Sequence, residues 1–197
     1  MTPRVARKAL RTLLVLGALA MITGVGTWSA FSSTSVNAGD RYVAGDVKIA
    51  ANDAGTALLT LTNAKPGDAS TGCIRTTYTG SLDAAVRLYG QVTGTLAPYL
   101  TLTVTRGSDP TPSYPSCTSF TADPTDYTGN GPGVVYSGLL SGYPADYASG
   151  IQDAPGAAET WTTNENHSYR FRVTLNSDLA AQSKTATAAF TFEARNQ

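Results

Sequence analysis

The residue types that most often carry chemistry are scarce in this 197-residue chain. Its one histidine, His167, stands in the run Asn164-Glu165-Asn166-His167-Ser168-Tyr169, at the entrance to a predicted strand. A zinc peptidase needs two imidazoles one helical turn apart with a carboxylate between them, as in HExxH. Glu159 and Glu165 are near enough in sequence to assist a metal, but no second imidazole exists. A serine nucleophile would have to share the same histidine as its base, and no serine lies in a GxSxG turn. His167 is therefore expected to be a turn or edge residue. Asp123, Asp126 and Asn130 supply oxygen atoms suited to calcium, yet their spacing is not that of an EF-hand loop, and they read as turn formers. No catalytic residue, metal ligand or cofactor is expected, and the chain is not expected to be an enzyme.

Cys73 and Cys117 are the only cysteines. Neither has a second cysteine or a histidine close by, which argues against a metal pair. In an exported chain two such thiols form one bridge. Closing the intervening loop stabilises the fold by about 4 kcal/mol on the chain-entropy view, less any strain.

Export is expected from the first 30 residues. Arg4, Arg7, Lys8 and Arg11 form a basic start, Leu13 to Ile22 an apolar run, and small residues follow; no charge occurs between Arg11 and Asp40. This is the pattern of a cleavable secretory signal peptide. As a helix, Thr12 to Trp28 reaches only about 25 Å, short of the ~30 Å hydrocarbon layer, which disfavours a membrane anchor. Cutting after Ala30 puts the bulky Trp28 three residues before the cut, a poor fit to an ordinary signal peptidase. The formal net charge is zero, but four of the 14 basic residues lie in this leader, leaving 10 against 14 acidic ones. A mildly acidic remainder without a basic cluster gives no reason to expect nucleic acid as a partner.

The elements beyond the leader read as strands. Runs rich in Thr, Val and Tyr alternate with Gly, Pro, Asn and Asp, which favours an all-β domain over 41–197. Strands are predicted over Tyr42 to Ala50, Thr56 to Thr62, Gly72 to Thr79, Ala84 to Val92, Tyr99 to Arg106, Cys117 to Phe120, Val134 to Leu140, Glu159 to Thr163, Ser168 to Asn176 and Thr185 to Arg195. Leu100, Leu102 and Val104 alternate with threonines, and Tyr169, Phe171, Val173 and Leu175 with polar residues, as half-buried strands should. In the last strand Ala186, Ala188, Phe190 and Phe192 are expected on one face, against Thr187, Ala189, Thr191 and Glu193 on the other. Asn63 to Asp68 is a turn centred on Pro66-Gly67, and Tyr143 to Ile151 a single helical turn. Gly107 to Gly133, with five prolines, is a long excursion held by the bridge. No βαβ rhythm is present, so the expected architecture is an antiparallel two-sheet sandwich, of jelly-roll type. Tyr114, Tyr127, Tyr136, Tyr143 and Tyr147 gather in the loops. Were they exposed, they would suit contacts with a glycan or another protein, giving a monomeric binding module as a further reading.

The runs Gly26-Thr-Trp-Ser-Ala-Phe31, Ala44-Gly-Asp-Val-Lys-Ile49 and Leu61-Thr-Asn-Ala-Lys-Pro-Gly-Asp68 resemble the TasA/camelysin family of secreted bacterial surface and biofilm-matrix proteins. The terminal Phe-Thr-Phe-Glu-Ala-Arg-Asn-Gln (190–197) is similar to that family's last strand. The likeness covers roughly Gly24 to Asp68 and the final strand; the middle of the chain differs and has its own cysteines. It implies a jelly-roll fold, cutting between Ala30 and Phe31 by a dedicated signal peptidase, and head-to-tail assembly into extracellular matrix or cell-surface fibres. The partners would be other copies of the chain and possible further matrix components. Camelysin-type relatives also carry a metallopeptidase label, an alternative that the single histidine disfavours.

In such fibres the amino-terminal segment of one subunit completes a sheet in the next. Carried over, segment 31–40 donates Phe31, Ser32, Ser33, Thr34, Ser35, Val36 and Asn37. Phe31 to Gly39 contains neither proline nor charge, so every residue can pair through its backbone, and extended it spans about 30 Å. Alternatively, the segment folds back on its own domain or remains a free tail.

Overall fold

A computed structural model of the protein describes residues 32–35, 46–156 and 160–196, the first of these by backbone alone. The 1–30 leader, Ala30, Phe31, Val36, Asn37, Tyr42 to Gly45 and Glu159 lie outside the described residues. The described chain is all-β. Its strands are β1 (Ser32–Ser35), β2 (Ile49–Ala51), β3 (Ala69–Tyr78), β4 (Ala84–Thr93), β5 (Leu100–Ser108), β6 (Thr121–Ala122), β7 (Val134–Leu139), β8 (Ile151–Gln152), β9 (Asn166–Leu175) and β10 (Thr187–Asn196), joined by loops and three single 3-10 turns.

Two antiparallel sheets result. One runs β1-β10-β4-β8; the other runs β2-β3-β9-β5-β6, with β7 also paired to β5. β9 sits at the centre of the second sheet because its alternation is the cleanest in the chain. Tyr169, Phe171, Val173 and Leu175 are all buried on one face, while Arg170 and Arg172 leave by the other. The sheets meet across this face. The Phe171 ring lies 4.6 Å from that of Phe190, and Tyr169 lies 5.0 Å from Phe192. Such offset ring pairs add roughly 1 kcal/mol each to the burial of their apolar area. Val86 and Leu88 from β4, and Leu100, Leu102 and Val104 from β5, complete the core.

The Cys73–Cys117 bridge is present, with its Cα atoms 5.1 Å apart. The Pro66-Gly67 turn also forms: Asp68 N donates to the Lys65 carbonyl at 2.9 Å, and Gly67 has φ +90°. A residue with a Cβ is disfavoured there, which is the demand of a type II turn.

Several predicted elements are absent. Thr56 to Thr62 is no strand. Leu58 and Leu59 are neighbours, so a flat strand would send one of them to water. A bend at Leu58 turns both inward, half-buried against the core. The short strand expected at Cys117 to Phe120 instead falls at Thr121–Ala122, paired with Gly107 and Ser108. Tyr143 to Ile151 forms a turn closed by Gly150 N to the Tyr147 carbonyl at 3.1 Å, not a helical turn. Within the described part of Glu159 to Thr163 only Trp161 makes a bridge, to Ala84. Of Tyr42 to Ala50, the described portion is strand only from Ile49. Glu193 does leave the inter-sheet face, yet it is buried, accepting from Tyr89 Oη at 2.6 Å and Arg195 Nε at 2.7 Å. Ala188 is exposed rather than in the core.

Tyr143 packs edge-on against the rings of Tyr136 and Phe190, and burial pushes its hydroxyl far above its ordinary pKa. That hydroxyl is buried and has no partner among the described residues. A buried donor without a partner costs stability. Tyr143→Phe should therefore leave stability unchanged or raise it by up to about 1 kcal/mol, whereas Phe171→Ala should lose roughly 3–5 kcal/mol. Urea unfolding of the two variants checks both.

Candidate functional site

The strand parity that buries Leu100, Leu102 and Val104 carries on to Arg106, so a guanidinium enters one end of the sandwich, 7 % exposed. A buried cation needs anions around it. Asp153, just after β8, meets Arg106 Nε with both oxygens at 3.1 and 3.2 Å. It also accepts from Trp161 Nε1 at 3.0 Å and from the Tyr169 hydroxyl. Arg106 Nη1 donates to Asp123 and, at 3.0 Å, to Tyr127 Oη, which itself donates to Asp123 at 3.0 Å. His167 Nε2 stands 3.3 Å from Arg106 Nη2 and 3.0 Å from Glu165 Oε1, with its ring 4.6 Å from that of Trp161. Donors and acceptors answer one another across elements from both sheets. The cluster closes this end of the sandwich.

The long side of the sandwich is built differently. β10 pairs along its whole length with β4, from Thr187↔Thr93 to Asn196↔Ala84. On its other edge, among the described residues, it pairs only with β1, Ser32↔Arg195 to Ser35↔Phe192. Thr187 to Thr191 extend beyond that pairing. Beside them opens an apolar groove of about 510 Å³. Its floor is core: Ile74, Leu102, Val173 and Phe192. One wall is the β10 edge from Thr187 to Phe190, and the other is the bent segment carrying Leu58, Leu59 and Leu61. Among the described residues the amides of 57–62 meet a single acceptor, the Ser70 hydroxyl, 3.2 Å from Thr60 N. The groove therefore offers an oily floor, one wall of backbone outside any sheet ladder and, as the other, the second edge of β10, which among the described residues has no partner strand there. That combination is what an extended peptide needs: side chains seated every second residue and amides answered at a strand edge.

The sequence-predicted residues fall in several places. Ser32, Ser33, Thr34 and Ser35 lie on β10 of their own chain. Cys73 and Cys117 join β3 to the long loop. His167 opens β9, and its partners make it part of the closing cluster. Asp126 is a turn former, its Oδ1 accepting from the amides of Thr128, Gly129 and Asn130, while Asp123 is a partner of Arg106 instead. The loop tyrosines are not a free surface. Tyr143 is buried, and Tyr114, Tyr127, Tyr136 and Tyr147 are half-buried with their hydroxyls bonded to other residues of the chain. Loop residues pack here because the sheets alone leave core uncovered. Among the described residues no group of three or more His, Cys, Asp or Glu side chains is placed to hold a metal ion. No protein-family model matches the chain, and no curated protein matches it.

The sequence reading missed Arg106 and Asp153 as partners, and it missed the groove. Parity along β5 could have flagged Arg106; nothing local marks Asp153 or the groove.

Asp153→Ala should cost about 3–5 kcal/mol, because it takes the carboxylate from the buried Arg106 Nε and removes the acceptor of the Trp161 indole and the Tyr169 hydroxyl; urea unfolding measures it. Burial pushes Glu165 up, but the hydrogen bond from His167 and the amide of Thr162 outweigh it and hold the carboxyl below its ordinary 4.5. A carboxylate with a lowered folded pKa contributes stability above 4.5, and that contribution is lost as pH falls through the lower folded value. Glu165→Gln should therefore flatten the fall in stability below pH 4.5, as read by unfolding curves at stepped pH.

Proposed function

We propose that this chain is a secreted, non-enzymatic structural subunit of an extracellular matrix or cell-surface fibre, assembled by strand donation between copies. A cleavable signal peptide over 1–30 would direct export, and cutting between Ala30 and Phe31 would free the donor segment. The resemblance of the amino-terminal runs to the TasA/camelysin proteins supports this reading, as does the lack of charge and proline in 31–39.

The observation that carries it is the β10 edge beside the apolar groove, which among the described residues is covered only by β1, over Phe192–Arg195. β1 answers the backbone of Phe192–Arg195 within its own chain. The same register can be filled by the β1 of a neighbour. Exchanging an identical strand conserves every backbone contact, so the cost is the lost freedom of the joined subunits, and protein concentration sets the balance. A donor reaching past Phe192 meets Thr191 to Thr187 and the groove. Donor and acceptor patches differ, so the contact is head-to-tail and need not close, which lets it grow filaments.

The strand order also supports a jelly-roll type of sandwich. With β2 and β6 set aside as short accessory strands, β1-β10-β4-β8 lies over β3-β9-β5-β7. First and last strands are neighbours, and each sheet mixes early with late strands, as two nested Greek keys require.

The mature chain from Phe31 should form filaments at rising concentration. A chain beginning at Tyr42 should not, and Ala188→Glu, which sets a charge in the groove from an exposed position, should lower the yield strongly. Electron microscopy and light scattering read the result. Equal filament yield from the Tyr42 chain would overturn the proposal.

A further inference from the structure

One tie of the groove wall at 57–61 leads to the disulfide. Tyr114 donates from Oη to the Thr56 carbonyl at 2.6 Å, just where the wall begins. Its ring packs half-buried against the core. Burial raises the pKa of this phenol above its ordinary 10, so it remains a donor across physiological pH. Tyr114 belongs to a tight turn closed by Ser116 N to the Ser113 carbonyl at 2.6 Å. That turn is docked on β3 twice, by Cys73 N to the Pro115 carbonyl at 2.9 Å and by the Cys73–Cys117 bond itself. Residue 72, next to Cys73, is a glycine, and the Leu58 carbonyl lies where its Cβ would stand. Bridge, turn, phenol and wall thus form one continuous chain of contacts ending at the groove.

We propose that the Cys73–Cys117 bridge controls the groove: through Tyr114 it holds the wall at 57–61 in place, so that only the oxidised protein presents a groove able to take a strand. The inference rests on the reading of this groove as a strand acceptor and adds its regulation. Cys117 is partly exposed and Cys73 buried, so a small dithiol attacks at the Cys117 sulfur. Its thiolate bonds to Cys117 Sγ, the S–S bond breaks, and Cys73 leaves as a thiolate that takes up a proton. The second thiol of the reagent then displaces Cys117, giving two protein thiols and one cyclic disulfide of the reagent; two electrons pass from the dithiol to the bridge. The 113–117 turn is then held on β3 by one backbone hydrogen bond, and Tyr114 loses its fixed position. Tyr114 is a positioning residue for the wall, acting through Thr56.

Limited proteolysis of the full mature chain with thermolysin, which cuts before leucine, tests this directly, because cleavage reports local opening. Cuts before Leu58, Leu59 or Leu61, identified by mass, should speed up roughly tenfold in dithiothreitol and about fivefold in Tyr114→Phe, which keeps the bridge and the ring but not the hydrogen bond. Cuts before Leu100, Leu102 and Leu175 should not change. The same samples are examined for filaments. Wall cleavage that rises while filament yield falls supports the inference. Wall cleavage that rises with no filaments in either redox state supports the tether and removes the fibre reading instead. Unchanged wall cleavage in both dithiothreitol and Tyr114→Phe overturns the inference. So does equal acceleration at Leu100, Leu102 and Leu175, which would make the bridge a support of the whole fold rather than of the wall.

Discussion

Backbone amides and carbonyls at a strand edge must be answered by something, and in this molecule, among the described residues, one edge of β10 is answered by a strand only in part. Ten residues of β10 are paired with β4, but among the described residues only four are paired with β1. Water can satisfy an exposed edge, but here the half beyond β1, without a partner strand among the described residues, borders an apolar groove. A peptide that adds a strand at this place answers the backbone and covers the floor at once. Much of what distinguishes the molecule follows: the placement of β1, the bend that lines the opposite wall, and the loop tied down by the disulfide.

The two regions between the sheets solve the same problem in opposite ways. At the end near Arg106, a buried guanidinium gathers Asp153, Asp123 and His167, and aromatic hydroxyl and indole groups fill the remaining positions. Every group there has specific geometry to satisfy. At the groove, apolar side chains from β3, β5, β9 and β10 face a segment whose amides are mostly outside any ladder. Apolar contact is non-directional, so this side can accept a different neighbour without stranding a charge.

Where the sequence was legible, a strong local period agreed with the tertiary environment. β4, β5, β9 and β3 all lie close to their predicted bounds, because each has paired neighbours on both sides or nearly so and one face against the core. Elements failed where two signals competed. Leu58-Leu59 has the composition of a strand but not the alternation, and burial of both side chains prevailed. The loop tyrosines have the composition of a binding surface, but their rings serve as packing for a core that two twisted sheets leave uncovered. His167 sits at a strand entrance, as its context suggested, while its partners are Arg106 of β5 and, from the segment just before it, Glu165 and Trp161.

By itself the sequence determined the class of the molecule: alternation set the long strands, Pro66-Gly67 set a turn that only glycine tolerates, and two isolated cysteines set one bridge. These are properties of residues close together in the chain, or, for the bridge, of there being only one possible pairing. The tertiary structure alone decided which strand edges meet, that Arg106 and Asp153 share one buried site, and that β10 is flanked by a groove. Those outcomes depend on residues far apart in sequence converging as the two sheets close, and no local pattern encodes a distance that arises only when they do.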